Sequence, residues 1–269
     1  MFSIVLVTYN SAEVIGDATR SIPPGHQVIV VDNASRDDSV EIARALGAEV
    51  LALAENLGFG TACNRGAALA KHDKLLFLNP DARLRPDTLD RLADAFERYA
   101  DAAAFNPRLV DAAGKQFFNK RNRFVSRDHW LDEPPRQDAE IPMGIGAALA
   151  IRTDVFRKLG GFDENIFLYF EDVDLSARII NAGYTIRHIH DAVATHMEGQ
   201  SSGTDQNTSA FKEYHYAKAQ FYTNRKHGLA RSRWLKLLHG AFRYASALAG
   251  GDATKLALAK ARLKGWWDA

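Results

Sequence analysis

Three stretches of the chain carry side chains that could do chemistry together: Asn79-Pro80-Asp81, Glu171-Asp172 and His196. A divalent cation held by Asp81 and His196 would neutralise a diphosphate. A carboxylate from Glu171-Asp172 could then take a proton from an attacking hydroxyl. Successive residues of a helix do not share a direction, so only one of the pair can be that base. Each feature also has a plain structural explanation. Asn, Pro and Asp form turns, acidic residues favour helix N-termini, and a lone histidine is often just packed or exposed.

These residues need elements to position them. Leu75-Leu76-Phe77-Leu78 reads as a buried strand, and Pro80 stops it because proline has no N–H for the ladder. Upstream, Phe2 to Val7 is an apolar strand, followed by the polar turn Thr8-Tyr9-Asn10. Ser11 stands at the cap position of a helix to about Ser21. Gln27 to Val31 is a second strand closed by Asp32-Asn33-Ala34-Ser35, and a helix follows over Asp37 to Leu46. Val50 to Leu53 is a third strand, Glu55 to Gly60 a loop, and Thr61 to Ala70 a helix. Such alternation predicts an α/β fold with a mostly parallel sheet. Thr8, Asp32, Asn56 and Asp81 then recur at the carboxyl ends of strands, the edge where such sheets bind ligands.

Further along, Pro86 to Tyr99 predicts a helix, Phe105 to Val110 a strand and Asp111 to Gly114 a hairpin turn. Residues 119–140 lack periodicity and read as a mobile surface loop. Ile141 to Ile151 reads as one buried strand rich in small residues, with Gly160-Gly161 as a turn. A helix from Glu171 to about Asn181 ends at Gly183, and Tyr184 to Ala194 is a strand. Residues 199–208 are polar, Gly/Ser-rich and expected to be mobile. The last third is helical: Phe211 to His227, Ser232 to Ala249 and Lys255 to Trp267. In the second of these, Trp234, Leu238, Ala241, Ala245 and Leu248 form an apolar stripe, flanked by Arg231, Arg233, Lys236 and Arg243.

The chain has 269 residues, 46% hydrophobic and 25% charged, enough for one large α/β domain or two small ones. Its single cysteine, Cys63, rules out an intrachain disulfide and a Cys-rich zinc site. Charge is uneven. Residues 1–224 hold 24 Lys and Arg against 31 Asp and Glu, while 225–269 hold 10 against 2. An acidic body with a basic, tryptophan-bearing tail suits an anionic partner such as a membrane surface. The N-terminus reads as a strand and not a signal peptide. No apolar run reaches the roughly 18 residues of a membrane span. A cytoplasmic protein, peripheral at the inner face of the plasma membrane, is the expectation.

Taken jointly, several stretches resemble the family-2 glycosyltransferases with a GT-A fold. They are Ile4 to Asn10, Val30 to Ser35, Glu55 to Gly60, Asn64-Arg65-Gly66, Leu78 to Asp81, Gly160 to Asp163, Phe170 to Leu175, and His196. The Asn-Leu-Gly-Phe-Gly and Asn-Pro-Asp versions most resemble bacterial rhamnosyltransferases and their galactofuranosyl relatives. The resemblance covers about Phe2 to Ser202. It implies a Rossmann-like nucleotide-sugar half (1–100), an acceptor and metal half (101–208) and a basic helical extension (209–269).

It further implies that Thr8, Tyr9 and Asp32 line the nucleotide site, with Asp32 on the pyrimidine ring. Asn56 and Arg65 would hold the base or diphosphate, and Asn10, Asn33, Gly58, Asn79 and Glu171 complete the substrate-binding set. Asp81 and His196 would ligate Mg²⁺ or Mn²⁺, and Asp172 would be the catalytic base. Many members carry Asp-x-Asp where this chain has Asn79-Pro80-Asp81. One charge is lost there, so metal binding should lean more on the donor's phosphates. The implied activity is inverting transfer of L-rhamnose from dTDP-β-L-rhamnose to a glycan or polyprenyl-diphosphate-linked acceptor. The rivals are transfer from UDP-galactofuranose, UDP-GlcNAc or another UDP-hexose, and a non-catalytic nucleotide- or membrane-binding protein. A nucleotidyltransferase would need a Gly-rich basic loop after the first strand, which Thr8-Tyr9-Asn10-Ser11 is not. No nucleic-acid partner is expected.

Overall fold

The computed structural model describes residues 1–197, 206–229 and 233–269. The chain forms two compact units: Met1–Asp163 with Asp172–Ser202, and Glu164–Glu171 with Gly203–Ala269.

The first unit begins β1 (Phe2–Thr8), α1 (Ala12–Arg20), β2 (Gln27–Asp32), α2 (Ser39–Ala45), β3 (Glu49–Ala52), α3 (Phe59–Ala68) and β4 (Lys74–Leu78). It continues through β5 (Ala82–Leu84), α4 (Thr88–Arg98), β6 (Ala102–Val110), β7 (Ala139–Glu140), β8 (Ala148–Arg152) and α5 (Thr153–Lys158). The helix α6 (Glu171–Asn181) and strand β9 (Thr185–His196) follow. Among the described residues the strands make one mixed sheet, ordered β3-β2-β1-β4-β8-β6-β9-β5, with β7 on β9. β1, β2, β3 and β4 are parallel, whereas β8 runs antiparallel between β4 and β6.

The parallel strands are near-continuous apolar runs because helices cover both faces. Alternate residues feed two cores. Ile4, Leu6, Val30, Leu76 and Leu78 pack with Phe96 and Phe105 on one face. Val5, Val7, Ile29, Val31, Leu75 and Phe77 pack with Phe156 and Phe162 on the other. Phe77 is fully buried, its ring centroid 5.1 Å from Phe156 and 5.0 Å from Phe162. Burying such a side chain stabilises by about 1.5–3 kcal/mol.

Several local expectations are corrected. The Ile141–Ile151 stretch is a strand only from Ala148. Ile141 to Ala147 is a buried loop, with Gly144 N–H donating to Ser176 Oγ at 3.0 Å instead of to a neighbouring strand. Residues 119–140 are mostly exposed irregular chain, as a surface loop should be, but the segment has anchors. Asn122, Phe124 and Val125 are buried, Trp130 Nε1 donates to the Asn122 carbonyl at 2.8 Å, and β7 joins the sheet. Ser11 occupies the cap position of α1 but makes no side-chain cap; the Ala12 N–H goes to Asp37 Oδ2 at 2.9 Å. The strand β5 and the helix α5 went unanticipated.

The second unit holds α7 (Gln206–Lys226), α8 (Arg233–Ala249) and α9 (Ala253–Trp267). Ala217, Phe221, Leu237 and Trp266 form its core, with Leu263 packed alongside. A Cβ on Gly265 would lie 2.3 Å from the Tyr214 carbonyl, so glycine there permits the close approach of α7 and α9. The predicted stripe on α8 is present but faces solvent, with Trp234 69%, Leu238 66% and Leu248 59% exposed. Leu237, Gly240 and Ala247 make the buried side instead. The segment 199–208 lies outside the described residues as far as 205, as do Arg231 and the side chains of Arg233 and Arg243.

Candidate active site

The carboxyl ends of β1, β2 and β4 meet along one edge. Register sets Thr8 beside Asp32, and Leu6 beside Leu78, which brings Asn79-Pro80-Asp81 next in line. Thr8 and Asp32 are buried, and among the described residues Thr8 Oγ1 and Asp32 Oδ1 have no hydrogen-bond partner. Asp32 Oδ2 accepts from Ser35 N–H at 3.0 Å, closing the turn after β2. A buried polar atom without a partner is costly, so this edge is suited to receive a polar ligand. Tyr9 stands 46% exposed above it.

Other predicted residues build the rim. Asn10, at φ 51°, accepts from Arg36 N–H at 2.8 Å, and its own N–H donates to Ser35 Oγ, tying the loops after β1 and β2 together. Asn33 is buried, accepts from Leu57 N–H at 2.9 Å and donates to the Gly58 carbonyl at 3.2 Å. Asn56 accepts from Gly58 N–H at 3.0 Å. Asn33 and Asn56 thus shape the loop, and Gly58, at φ 86°, turns it into α3. Arg65 is exposed on α3. Its neighbour Asn64 clasps the Phe162 backbone through two 2.9 Å hydrogen bonds.

After β4 the chain crosses to β5, which pairs with the end of β9 and sets Ala82 opposite His196. His196 Nε2 comes to 3.2 Å from Asp81 Oδ1, and Met197 N–H donates to the Asp81 carbonyl at 3.0 Å. The Asp81 side chain is 1% exposed, yet among the described residues neither oxygen accepts a hydrogen bond. A buried carboxylate is stable only with a compensating charge. A divalent cation supplies one, and an oxygen plus an imidazole nitrogen is a suitable donor pair. Among the described residues no group of three His, Cys, Asp or Glu side chains is placed to hold a metal. The pair would therefore need oxygens from a bound ligand. Asn79, with its backbone bonded to Ala147 O and Ala82 N, lies beside Asp81.

Asp172, in the first turn of α6, faces the buried loop. Its Oδ2 accepts from Gly146 N–H at 3.1 Å, and its Oδ1 accepts from Val173 N–H at 2.8 Å. Burial of the carboxyl by surrounding atoms pushes its pKa above the ordinary carboxylate range, against the opposing pull of those N–H bonds. Such a carboxylate is a better proton acceptor than an exposed one. Glu171 is the first residue of α6 and is buried. The chain enters it through Tyr169 and Phe170 at φ 68° and 71°, conformations that bulky side chains rarely adopt.

One contributor escaped the sequence reading. Asn106, buried in β6, accepts from Ile145 N–H and donates to the Ile145 carbonyl at 3.1 Å and to the Ala148 carbonyl. It thereby holds the loop whose Gly146 N–H meets Asp172. A polar residue inside the apolar run Ala102–Val110 was the available signal.

The fold defines the class: this is a GT-A fold with C-terminal helices. The mannosyltransferase PcManGT from Pyrobaculum calidifontis, solved with GDP-Man and Mn²⁺, has a TM-score of 0.64 at 18% identity, covering 99% of this chain and 87% of its own. S. aureus TarS (residues 1–349) has a TM-score of 0.58 at 15% identity, covering 99% and 91%. Residues 3–160 match the model of glycosyl transferase family 2, and the chain belongs to that family of glycosyltransferases. Within it the chain is rhamnosyltransferase-like. It is 30% identical over 241 residues to the N-acetylglucosaminyl-diphospho-decaprenol L-rhamnosyltransferase of Mycobacterium tuberculosis, spanning 77% of this chain and 78% of that protein. It is 28% identical over 218 residues to the O-antigen chain rhamnosyltransferase RfbN of Salmonella typhimurium, spanning 72% and 65%.

Proposed function

We propose that this glycosyltransferase moves L-rhamnose from dTDP-β-L-rhamnose to a hydroxyl of a lipid-linked or growing cell-surface glycan, with inversion at the anomeric carbon. The observation that carries this reading is the 30% identity across three quarters of the chain to a rhamnosyltransferase named for a polyprenyl-diphosphate acceptor. Thr8 Oγ1 and Asp32 Oδ1, which lack a partner among the described residues, support it, since a carboxylate at a strand end can accept the N3–H of a pyrimidine.

Asp172 acts as the base. Held as a carboxylate by the Gly146 and Val173 N–H groups, it accepts the acceptor hydroxyl's proton as that oxygen bonds to the anomeric carbon. The bond from that carbon to the diphosphate oxygen breaks, and its electron pair leaves with the nucleoside diphosphate. Attack from the opposite face turns a β-donor into an α-L-rhamnoside, with no covalent enzyme intermediate. Asp81 and His196 would hold Mg²⁺ or Mn²⁺, which when bound supplies positive charge against the donor's diphosphate. Thr8, Tyr9, Asn10, Asp32 and Asn33 form the nucleotide edge. Asn56, Gly58 and Arg65 frame its diphosphate side, and Asn79 completes the substrate-binding set.

A donor screen tests the reading. Purified protein with Mn²⁺ and a short-chain GlcNAc-diphospho-lipid is assayed for nucleoside diphosphate release from dTDP-β-L-rhamnose, UDP-galactofuranose and UDP-GlcNAc. Release from dTDP-rhamnose, abolished in Asp172→Asn, is expected. Release from a UDP-sugar would replace the donor. Absence of turnover with every donor would favour a binding protein.

A further inference from the structure

The helix α8 carries two apolar sides, and among the described residues only one of them is packed against a partner. Leu237, Gly240 and Ala247 are buried; a Cβ on Gly240 would lie 2.9 Å from Leu263 Cδ1 and 3.0 Å from the Trp266 ring, both on α9. Trp234, Leu238, Ala241, Phe242, Ala245 and Leu248 share another side at helical spacing, and all six are exposed, Phe242 by 73%. Among the described side chains of α8, no charged residue interrupts them. Monomeric soluble proteins rarely show so continuous an apolar patch without a use for it. Phe242 also lines a cleft of about 440 Å³ whose wall mixes Ala247, Leu258 and Ala259 with the charged Glu213, Asp252, Lys255 and Arg262, so the apolar face ends at a charged rim there.

We propose that this face of α8 seats the helical unit on an anionic lipid bilayer, lying in the plane of the interface. Charge selects that occupant. Residues 225–269 carry 10 Lys and Arg against 2 Asp, so a negatively charged surface draws them in and repels the acidic remainder of the chain. A second copy meeting the same face would oppose two basic tails across a two-fold axis, which like charge disfavours. Nucleic acid needs cations on the contact face itself, and this face holds Trp, Leu, Phe and Ala. No described helix is long and apolar enough to cross a membrane, so the contact is interfacial. The inference stands apart from the rhamnosyl reading, since any transferase working beside a bilayer could use such a face.

The test is sedimentation of the intact protein with vesicles of phosphatidylcholine alone and of phosphatidylcholine with 30 mol% phosphatidylglycerol. Binding to the anionic vesicles is expected, weakened at least about tenfold by removing phosphatidylglycerol or raising salt. A blue shift of tryptophan emission should accompany it. The triple variant Trp234→Ser, Leu238→Ser, Phe242→Ser alters only exposed positions. It should keep its far-ultraviolet spectrum and nucleotide release while losing vesicle binding at least about tenfold. Because Trp234 is an emitter, the single variant Leu238→Ser serves as the fluorescence control. Three results would overturn the proposal: no sedimentation with either vesicle, equal binding by the triple variant, or a dimer that this variant dissociates without any vesicle binding.

Discussion

His196 Nε2 stands 3.2 Å from Asp81 Oδ1 because β5 and β9 pair with Ala82 opposite His196. Two segments far apart in sequence thus present one acid and one imidazole at the sheet edge. Asp81→Asn and His196→Ala should each weaken Mn²⁺ binding to the dTDP-bound protein and reduce transfer on the order of 10²-fold. Titration of Mn²⁺ by electron paramagnetic resonance measures the first effect directly. An unchanged Mn²⁺ isotherm in both variants would exclude this pair as ligands.

Asp172→Asn should reduce kcat by about 10²–10⁴-fold, the range for loss of a positioned base. In the parent, burial raises the Asp172 pKa, so kcat/KM should fall with pH at values above the ordinary carboxylate range. Stability responds with the opposite sign. The folded carboxyl binds its proton more readily than the unfolded one, so this residue's contribution to stability falls as pH rises through the raised pKa. Asp172→Asn removes that penalty while keeping an acceptor for Gly146 N–H. It should melt higher than the parent at pH 7.5, with the gap closing as pH drops. Thermal melts across pH would detect the reverse order as readily.

Asn106 acts on the site through the Ile141–Ala147 loop and the first residue of β8. Asn106→Ala removes its bonds to Ile145 and Ala148 and frees Gly146, which holds Asp172. The expected result is a kcat lower by about 10- to 100-fold, since small misplacements are costly, with donor KM unchanged. Steady-state kinetics separates the two, and a rise in donor KM alone would assign Asn106 to donor binding.

How much of this was legible in the sequence depends on the kind of signal. Thr8, Asp32 and Asp81 end or follow strands whose apolar pattern is clear, so their place at one edge could be read from order alone. The strand Lys74–Leu78 and the helix Glu171–Asn181 were found within a residue or so at either end. The loop Ile141–Ala147 was mistaken for strand because a buried apolar run has no period to separate the two. Asn106 gave no periodic signal, as its role depends on a loop some 40 residues away in the chain. On α8 the sequence offered an apolar stripe but not which side is covered. Leu237, Gly240 and Ala247, two of them small, turned out to be the packed side.

Gly66 marks close packing of α3 on the sheet rather than chemistry. A Cβ there would lie 2.5 Å from Val5 Cγ1 and 3.0 Å from Val31 Cγ2. Gly66→Ala should cost about 1–3 kcal/mol, as overpacking does, read as a lower urea midpoint with unchanged m. A gain in stability would mean that α3 can shift outward freely.

The most direct measurement is the anomeric configuration of the product. The protein is incubated with dTDP-β-L-rhamnose, Mn²⁺ and the GlcNAc-diphospho-lipid, and the new linkage is read from its one-bond C1–H1 coupling by NMR. An α-L-rhamnoside, missing from the Asp172→Asn reaction, is the expected result. A β-L-rhamnoside, or an α-product that persists undiminished in Asp172→Asn, would contradict inversion driven by Asp172.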